Sequence, residues 1–278
     1  MYEKNQLKKL IFLDIETTSN YINYGEFCDA RPKEVKFWQR KAKALRRETH
    51  ELNEKSDADL YESHSALYPE FGRIVCISIG QLQFDENNNA KFLAKSFYGK
   101  DEKENVINFI NFSRAIFNKV PDIKFVGHNI KNFDMPYLIK KSFIYGIKIP
   151  TRFRFHEVKP WENCLLDTLN LWKTSGMGGV SLEHLTLLLG VDNPKEAEVY
   201  ENDHGGIARA FWHGKLEELK EYCEDDIKAT ANILLRLSLL DPIKENIMWP
   251  DEFYQDSNNL ENFSYKNLNK IIFKSKKL

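Results

Sequence analysis

The sequence predicts an α/β fold: a mixed sheet flanked by helices, with a helical segment inserted between its first and second strands. Three observations carry that expectation. Apolar runs rich in Ile, Leu, Val and Phe come first, in LKKLIFLDIETT, RIVCISIGQLQF and KFLAKSFYG. Short apolar runs then alternate with stretches of helical periodicity, the order that places helices on the faces of a sheet. Between the first two runs lies a segment, residues 20–67, in which apolar positions recur at three- and four-residue steps.

Each element follows from local chemistry. The first strand is an apolar run ending at polar residues near Thr17 and Thr18. Arg73–Phe84 and Lys91–Gly99 flank DENNN, whose aspartate and asparagines favour a turn, so these two strands read as a hairpin. In ENVINFINFSRAIFNK, Val106, Ile107, Ile110, Ile116 and Phe117 fall at helical spacing. KFVGHN (Lys124–Asn129) is a short buried strand. Asn132–Gly146 is a helix, with Pro136 near its start, where proline is tolerated, and Gly146 as its stop. Cys164–Asp167 is another short strand, and Ser181–Gly190 a short helix capped by Ser181. Lys215–Leu240 is a long helix ended by Asp241-Pro242.

The inserted segment reads as one amphipathic helix. Val35, Trp38, Ala42, Leu45 and Leu52 mark its apolar stripe. Arg31 to Arg47 holds eight basic residues and one acid, Glu34, and acids dominate from Glu48 to Glu62. Residues 1–245 are expected to form one domain. Residues 246–278 are expected to be a polar, loosely held C-terminal extension.

With 278 residues, 42% hydrophobic and 29% charged, the composition is that of an ordinary globular chain. No run approaches the ~18 apolar residues of a membrane helix, and the N-terminus lacks the pattern of a signal peptide. Four scattered cysteines with no CxxC pair disfavour a zinc ribbon or a disulfide framework, so a reduced, cytoplasmic setting is expected. A net charge of −1 gives no global attraction for nucleic acid; such binding would need a local patch or metal ions.

Three acidic constellations stand out. Asp14 and Glu16, two apart on a strand, point to one face, where they repel each other and resist burial. A divalent cation with hard oxygen preferences, Mg²⁺ or Mn²⁺, resolves that conflict, although a charged strand end reads the same way. In HNIKNFDMPYL, Asp134 falls at a helix start, where an acid is also favoured as a cap. Asn129 and Phe133 beside it are suited to holding a sugar and stacking a base. In YCEDD, Tyr222 and Asp226 project from one helical face. Glu221, Glu224 and Asp225 around them would equally suit a solvated acidic face.

In this order, D14-I-E16-T, N129-x3-F133-D134 and Y222-x3-D226 resemble the Exo I, Exo II and Exo III motifs of the DnaQ-like, or DEDD, 3′→5′ exonuclease superfamily. Tyr222 marks the DEDDy branch, and LDIETT, PEFGRIVCISIG, GHNIKNFDMPYL and YCEDDIKAT look closest to bacterial exonucleases related to the family B DNA polymerase proofreading domain. The resemblance covers residues 7–18 and 69–240, leaving the insertion and the tail without a counterpart. It implies a ribonuclease H-like fold and two Mg²⁺ or Mn²⁺ ions held by Asp14, Glu16, Asp134 and Asp226. It implies that Asp14, Glu16 and Asp226 hold the ion beside the attacking water, that Asp14 bridges to the second ion, and that Asp134 acts on that ion largely through water. With Tyr222 these acids form the catalytic set, and Thr17, His128, Asn129 and Phe133 are the implied substrate contacts. The implied substrate is the 3′ end of DNA, single strands preferred, with nucleoside monophosphates released. An exoribonuclease, or a module that only grips nucleic-acid ends, stays open, as does a polymerase or repair partner.

Other candidates carry less. Asp167 suits a cap for a following helix, or a place along the cleft. His128 suits a satisfied strand-end histidine as well as a substrate contact. His184, His204 and His213 lack zinc spacing. Gly176, Gly178 and Gly179 lack the context of a phosphate-binding loop. PKEAE (Pro194–Glu198) reads as a loop with no assigned chemistry. The basic half of the insertion suits either a solvated helix packed on the body or a guide for the strand entering the acidic site.

Overall fold

The structure, a computed structural model, describes residues 2–155, 163–176, 178–192, 204–244 and 247. A short helix α1 (Lys4–Leu7) leads into β1 (Leu10–Ser19). Helices α2 (Tyr24–Ala30), α3 (Val35–Leu45), α4 (His50–Asn53) and α5 (Asp57–His64) and a 3₁₀ turn at Ser65–Leu67 separate it from β2 (Gly72–Phe84) and β3 (Ala90–Tyr98). Then come α6 (Glu102–Lys119), β4 (Lys124–Gly127), α7 (Asp134–Ile144), β5 (Leu165–Asp167), α8 (Thr168–Lys173), α9 (Leu182–Leu189), α10 (His204–Trp212) and α11 (Leu216–Leu237).

The five strands form one mixed sheet in the order β3-β2-β1-β4-β5, so β1 is central. β1 runs antiparallel to β2 and parallel to β4. This is the mixed, helix-flanked sheet of a ribonuclease H-like fold. The two-residue alternation of β1 sorts its side chains between two cores. Ile11, Leu13 and Ile15 pack with Val106, Phe109 and Ile110 of α6 and Met135 and Leu138 of α7. Leu10 and Phe12 pack on the other face with Ile227, Ala231, Leu234 and Leu235 of α11. Asp14 and Glu16 continue the Leu10–Phe12 series, so they arrive on the α11 side.

A buried ion pair ties the helices to the end of the sheet where β1 finishes. Lys141 Nζ lies 3.2 Å from the Glu102 carboxylate, both side chains being under 5% exposed. Lys141 also donates to Gly72 O, while Glu102 accepts the Ile74 N–H at 2.7 Å and the Tyr145 hydroxyl. Gly72 pairs with Ser19, so this network fixes β2 beside the last residue of β1.

The insertion departs from the single helix expected. Trp38, Ala42 and Leu45 are buried as the periodicity predicts, against Phe27, Leu60, Tyr61 and Phe71. Leu52 belongs instead to α4, because fresh caps restart the helix. Asn23 accepts the Glu26 N–H, Thr49 the Leu52 N–H and Ser56 the Asp59 N–H, each opening a new helix. Periodicity alone overlooks these caps. The last helix ends at Leu237, before Leu239 with its φ of 57°. α10 was not anticipated. The PKEAE loop and the tail beyond Ile247 lie outside the described residues. Among the described residues no helix is long and apolar enough to cross a membrane.

Candidate active site

The central strand and the last helix meet over two acids. Cys223 of α11 is fully buried, and its thiol lies 3.5 Å from Asp14 Oδ2 and 3.6 Å from the Asp14 carbonyl oxygen. Asp14, Glu16 and Cys223 each offer a ligand atom within 4.8 Å of the others. Asp226, one turn farther along α11, is buried to 8% exposure, and Tyr222 is half-buried. On the neighbouring strand the register slips after Glu16: Glu16 faces Cys76 and Thr17 faces Ile74, leaving Val75 as an extra residue. Such a bulge bends the strand locally beside the acids. Val75 is buried against Ala210, Phe211 and Leu219, which seats α10 and α11 on that bend.

Asp134 reaches the same place from the other side of the sheet. β4 stops at Gly127, short of Ile15, so β1 is paired there only with β2, through Ile77, and its β4 side has no strand partner. The Asp134 carboxylate, 3% exposed at the start of α7, takes that position and accepts the Ile15 N–H at 3.2 Å. The sharp exit from β4 needs a glycine. A Cβ on Gly127 would meet Leu13 O and Ile130 Cβ at 2.8 Å. Two residues on, Asn129 is in the left-handed region at φ 66°, which asparagine tolerates better than most residues. Asp167 holds this turn, accepting the N–H groups of Asn129 at 3.0 Å and Lys131 at 3.2 Å. Phe133, half-buried, stands next to Asp134 with its ring 5.6 Å from that of Tyr137.

The electrostatics are those of crowded acids. Burial, and then the charges of Asp134, Asp226 and Glu16, push the Asp14 carboxyl well above the usual carboxylate range. Burial raises Asp134 to about 7, with Asp167 and Asp226 adding to the effect. Tyr222 is driven upward by burial and by Asp226, Glu16 and Asp14, which places its hydroxyl in the field of the same three acids. Among the described residues, the principal charged neighbours of Asp14 are thus other acids.

Each site residue expected from the sequence has a definite place. Asp14, Glu16, Asp134, Tyr222 and Asp226 are brought together, although they span the chain. Thr17 follows Glu16 at the bulge, and Asn129 and Phe133 sit on the turn entering α7. His128 is engaged inward: Nδ1 is 3.0 Å from Thr168 Oγ1, and Nε2 is 2.8 Å from Val180 O. Asp167 caps α8 through the Leu169 N–H at 3.0 Å while it also braces the Asn129 turn. Glu224 is not on a solvated face; it is fully buried and accepts from Ser96 Oγ at 2.7 Å. Cys223 was overlooked as a neighbour of Asp14. Its signal was the apolar helical stripe Leu216, Leu219, Cys223 and Ile227, which it shares.

A family described as predicted 3′-5′ exonucleases related to the exonuclease domain of PolB matches residues 66–267. The chain belongs to that family. The matched residues hold Asp134, Tyr222 and Asp226, whereas β1, with Asp14 and Glu16, and nearly all of the insertion precede them. The match also runs on past residue 245, so much of the tail that was expected to lack a counterpart has one. No curated protein matches the chain. Among solved structures, the chain is similar to the family B DNA polymerase of the archaeon Pyrobaculum calidifontis. The identity is 15% and the TM-score 0.46, covering 83% of this chain and 24% of the polymerase. It is also similar to E. coli exonuclease I in complex with a dT13 oligonucleotide, at 15% identity and TM-score 0.35, covering 83% of this chain and 45% of the other. The chain therefore spans less than half the length of either protein.

Proposed function

We propose that this exonuclease-family chain removes nucleoside monophosphates from DNA 3′ ends, single strands preferred, by metal-dependent hydrolysis at Asp14, Glu16, Asp134 and Asp226. The observation that carries the reading is the gathering of Glu16, Asp134 and Asp226 around Asp14, whose principal charged neighbours among the described residues are these acids. Hard oxygen donors in that density suit Mg²⁺ or Mn²⁺. Two such ions, when bound, would supply an activated water and charge stabilisation of the leaving 3′ oxygen.

The chain's own groups do the positioning. The Ile15 N–H orients the Asp134 carboxylate, and the Cys223 thiol orients that of Asp14. Tyr222, its pKa raised, keeps its proton at neutral pH, so its hydroxyl orients water and does not act as a base. Asn129 and Phe133, on the turn held by Asp167, would contact the terminal sugar and base. His128, with both ring nitrogens engaged within the protein, supports the wall of the cleft. The preference for DNA rests on the kinship with a DNA polymerase exonuclease domain.

Digestion of 3′- and 5′-labelled single-stranded DNA and RNA, with Mg²⁺, Mn²⁺ or EDTA, tests this reading. Mononucleotides released from DNA 3′ ends, and abolished by EDTA, are expected. Full hydrolysis in excess EDTA would overturn the metal-dependent reading, and a preference for RNA would reassign the substrate.

A further inference from the structure

The insertion presents an ordered row of cations. On and beside α3, Lys33, Lys36, Arg40, Lys43 and Arg47 are all exposed and follow one another at steps of three and four residues. That spacing places them on one helical face, opposite the buried Trp38–Ala42–Leu45 stripe. Phe37, 49% exposed, lies within the row, with Lys36 Nζ 5.2 Å and the Arg40 guanidinium 5.8 Å from its ring centre. Among the described residues none of the five cations is held in a salt bridge, and the nearby acid Glu34 is taken by Arg31. The other basic residues of the segment serve the fold: Lys41 lies 4.0 Å over the Tyr68 ring, and Arg46 bonds the Asp57 carboxylate and Lys55 O.

The row is rigidly tied to the catalytic end of the sheet. Trp38 packs on Phe71 with ring centres 5.0 Å apart, and Phe71 O accepts the N–H of Asn20, the first residue past β1. Ser19 lies three residues beyond Glu16, about 10 Å along the strand. We propose that Lys33, Lys36, Arg40, Lys43 and Arg47, with Phe37 among them, form a docking rail for the phosphate backbone of the single-stranded nucleic acid whose end is processed. The naming of the ligand rests on the exonuclease reading above. The chemistry is that of single-strand platforms, cations tracking phosphates beside an aromatic that stacks a base. In a chain of net charge −1 the rail supplies the local positive surface a polyanion requires. From Lys33 to Arg47 it spans about 20 Å, long enough for several phosphates.

The test uses the full chain in EDTA, so that binding is measured apart from hydrolysis. Wild type is compared with a variant changing Lys33, Lys36, Arg40, Lys43 and Arg47 to Gln, with Phe37→Ala, and with a charge-matched control. The control changes the exposed Lys100, Lys103, Lys124, Lys140 and Lys148 to Gln. Fluorescence anisotropy with DNA strands of about 20 nucleotides should show the rail variant at least about tenfold weaker near 0.1 M salt, with a log–log salt slope shallower by about 2 to 3 units. Phe37→Ala should weaken binding several-fold without changing the slope, and the control should resemble wild type. Strands of about 4 nucleotides, which reach only the cleft, should be hydrolysed equally by all four proteins in Mg²⁺. Equal affinity and slope in wild type and rail variant overturn the proposal. So does an equal loss in the control, or a rail variant that loses binding to phosphatidylserine vesicles but not to DNA. If no protein hydrolyses any strand while the rail variant still binds less tightly, the rail stands and the exonuclease reading falls.

Discussion

Ile15 donates its backbone N–H to Asp134 Oδ1 at 3.2 Å, so the strand that carries Asp14 and Glu16 is held by an acid of the same site. In the proposed mechanism Asp134 has two separable duties: accepting that hydrogen bond and bearing a charge. Asparagine can keep the first and cannot supply the second. Asp134→Ala should cost about 1–3 kcal/mol of stability, the usual penalty for a buried donor left unsatisfied. Asp134→Asn should be close to wild type in urea unfolding, yet both should lose nearly all exonuclease turnover. An active Asp134→Asn enzyme would show that the acid's role is structural only.

In the proposed mechanism Tyr222 is a helper and Asp226 a metal ligand, and substitutions should separate the two. Tyr222→Phe removes a hydroxyl that stays protonated, so turnover should fall about 10- to 100-fold, the scale of a misplaced reactant, with Mg²⁺ affinity unchanged. Asp226→Ala should cost about 10³-fold or more and weaken Mg²⁺ binding in calorimetry, as should Asp14→Ala. Asp225 is exposed and its change to alanine should leave turnover within a few-fold of wild type. A dead Asp225→Ala beside an active Asp226→Ala would mean that the helix register of the site has been misassigned.

The Glu102–Lys141 pair predicts a stability effect away from the chemistry. Lys141→Met leaves the Glu102 carboxylate buried without its cation, which should cost about 3–5 kcal/mol in denaturant unfolding. Glu102→Gln on that background should recover part of the loss, because glutamine still accepts the Ile74 N–H. Additive losses in the double-mutant cycle would show that the two side chains do not interact.

Lys95 predicts a pH effect. Desolvation pulls its pKa down from 10.5 to about 8 in the folded chain. Between those values the unfolded chain holds more protons than the folded one, so stability from this group rises with pH across that window. Below pH 8 both states are protonated and the penalty of burying the ammonium is fully present. Lys95→Met should therefore stabilise the protein at pH 7 by about 1 kcal/mol, with the advantage shrinking toward pH 10. Urea unfolding at both pH values checks this, and a pH-independent difference would point to packing alone.

Much was legible in the residues themselves. Strand alternation put Asp14 and Glu16 on one face, and the four-residue step put Tyr222 beside Asp226. Pro136 and Gly146 bracketed α7, whose ends lie within two residues of those expected. Asp167 was read as a cap and is one. The single helix drawn through the stripe from Val35 to Leu52 was too long, because the capping side chains of Thr49 and Ser56 act over three residues and leave no mark on hydrophobic periodicity.

Local sequence thus determined most of the elements outside the insertion, the faces of the acids and the family, because these depend on spacings of two to four residues along one chain direction. Tertiary structure decided the rest. The Cys223 thiol meets Asp14 across 209 residues of sequence, and Asp134 meets Ile15 across 119. Packing also chose which basic side chains of the insertion turn inward, Lys41 and Arg46, and which face water, Arg31 and the five of the row. Contacts at such separations arise only when two cores close on opposite faces of β1, and no local period encodes where those faces meet.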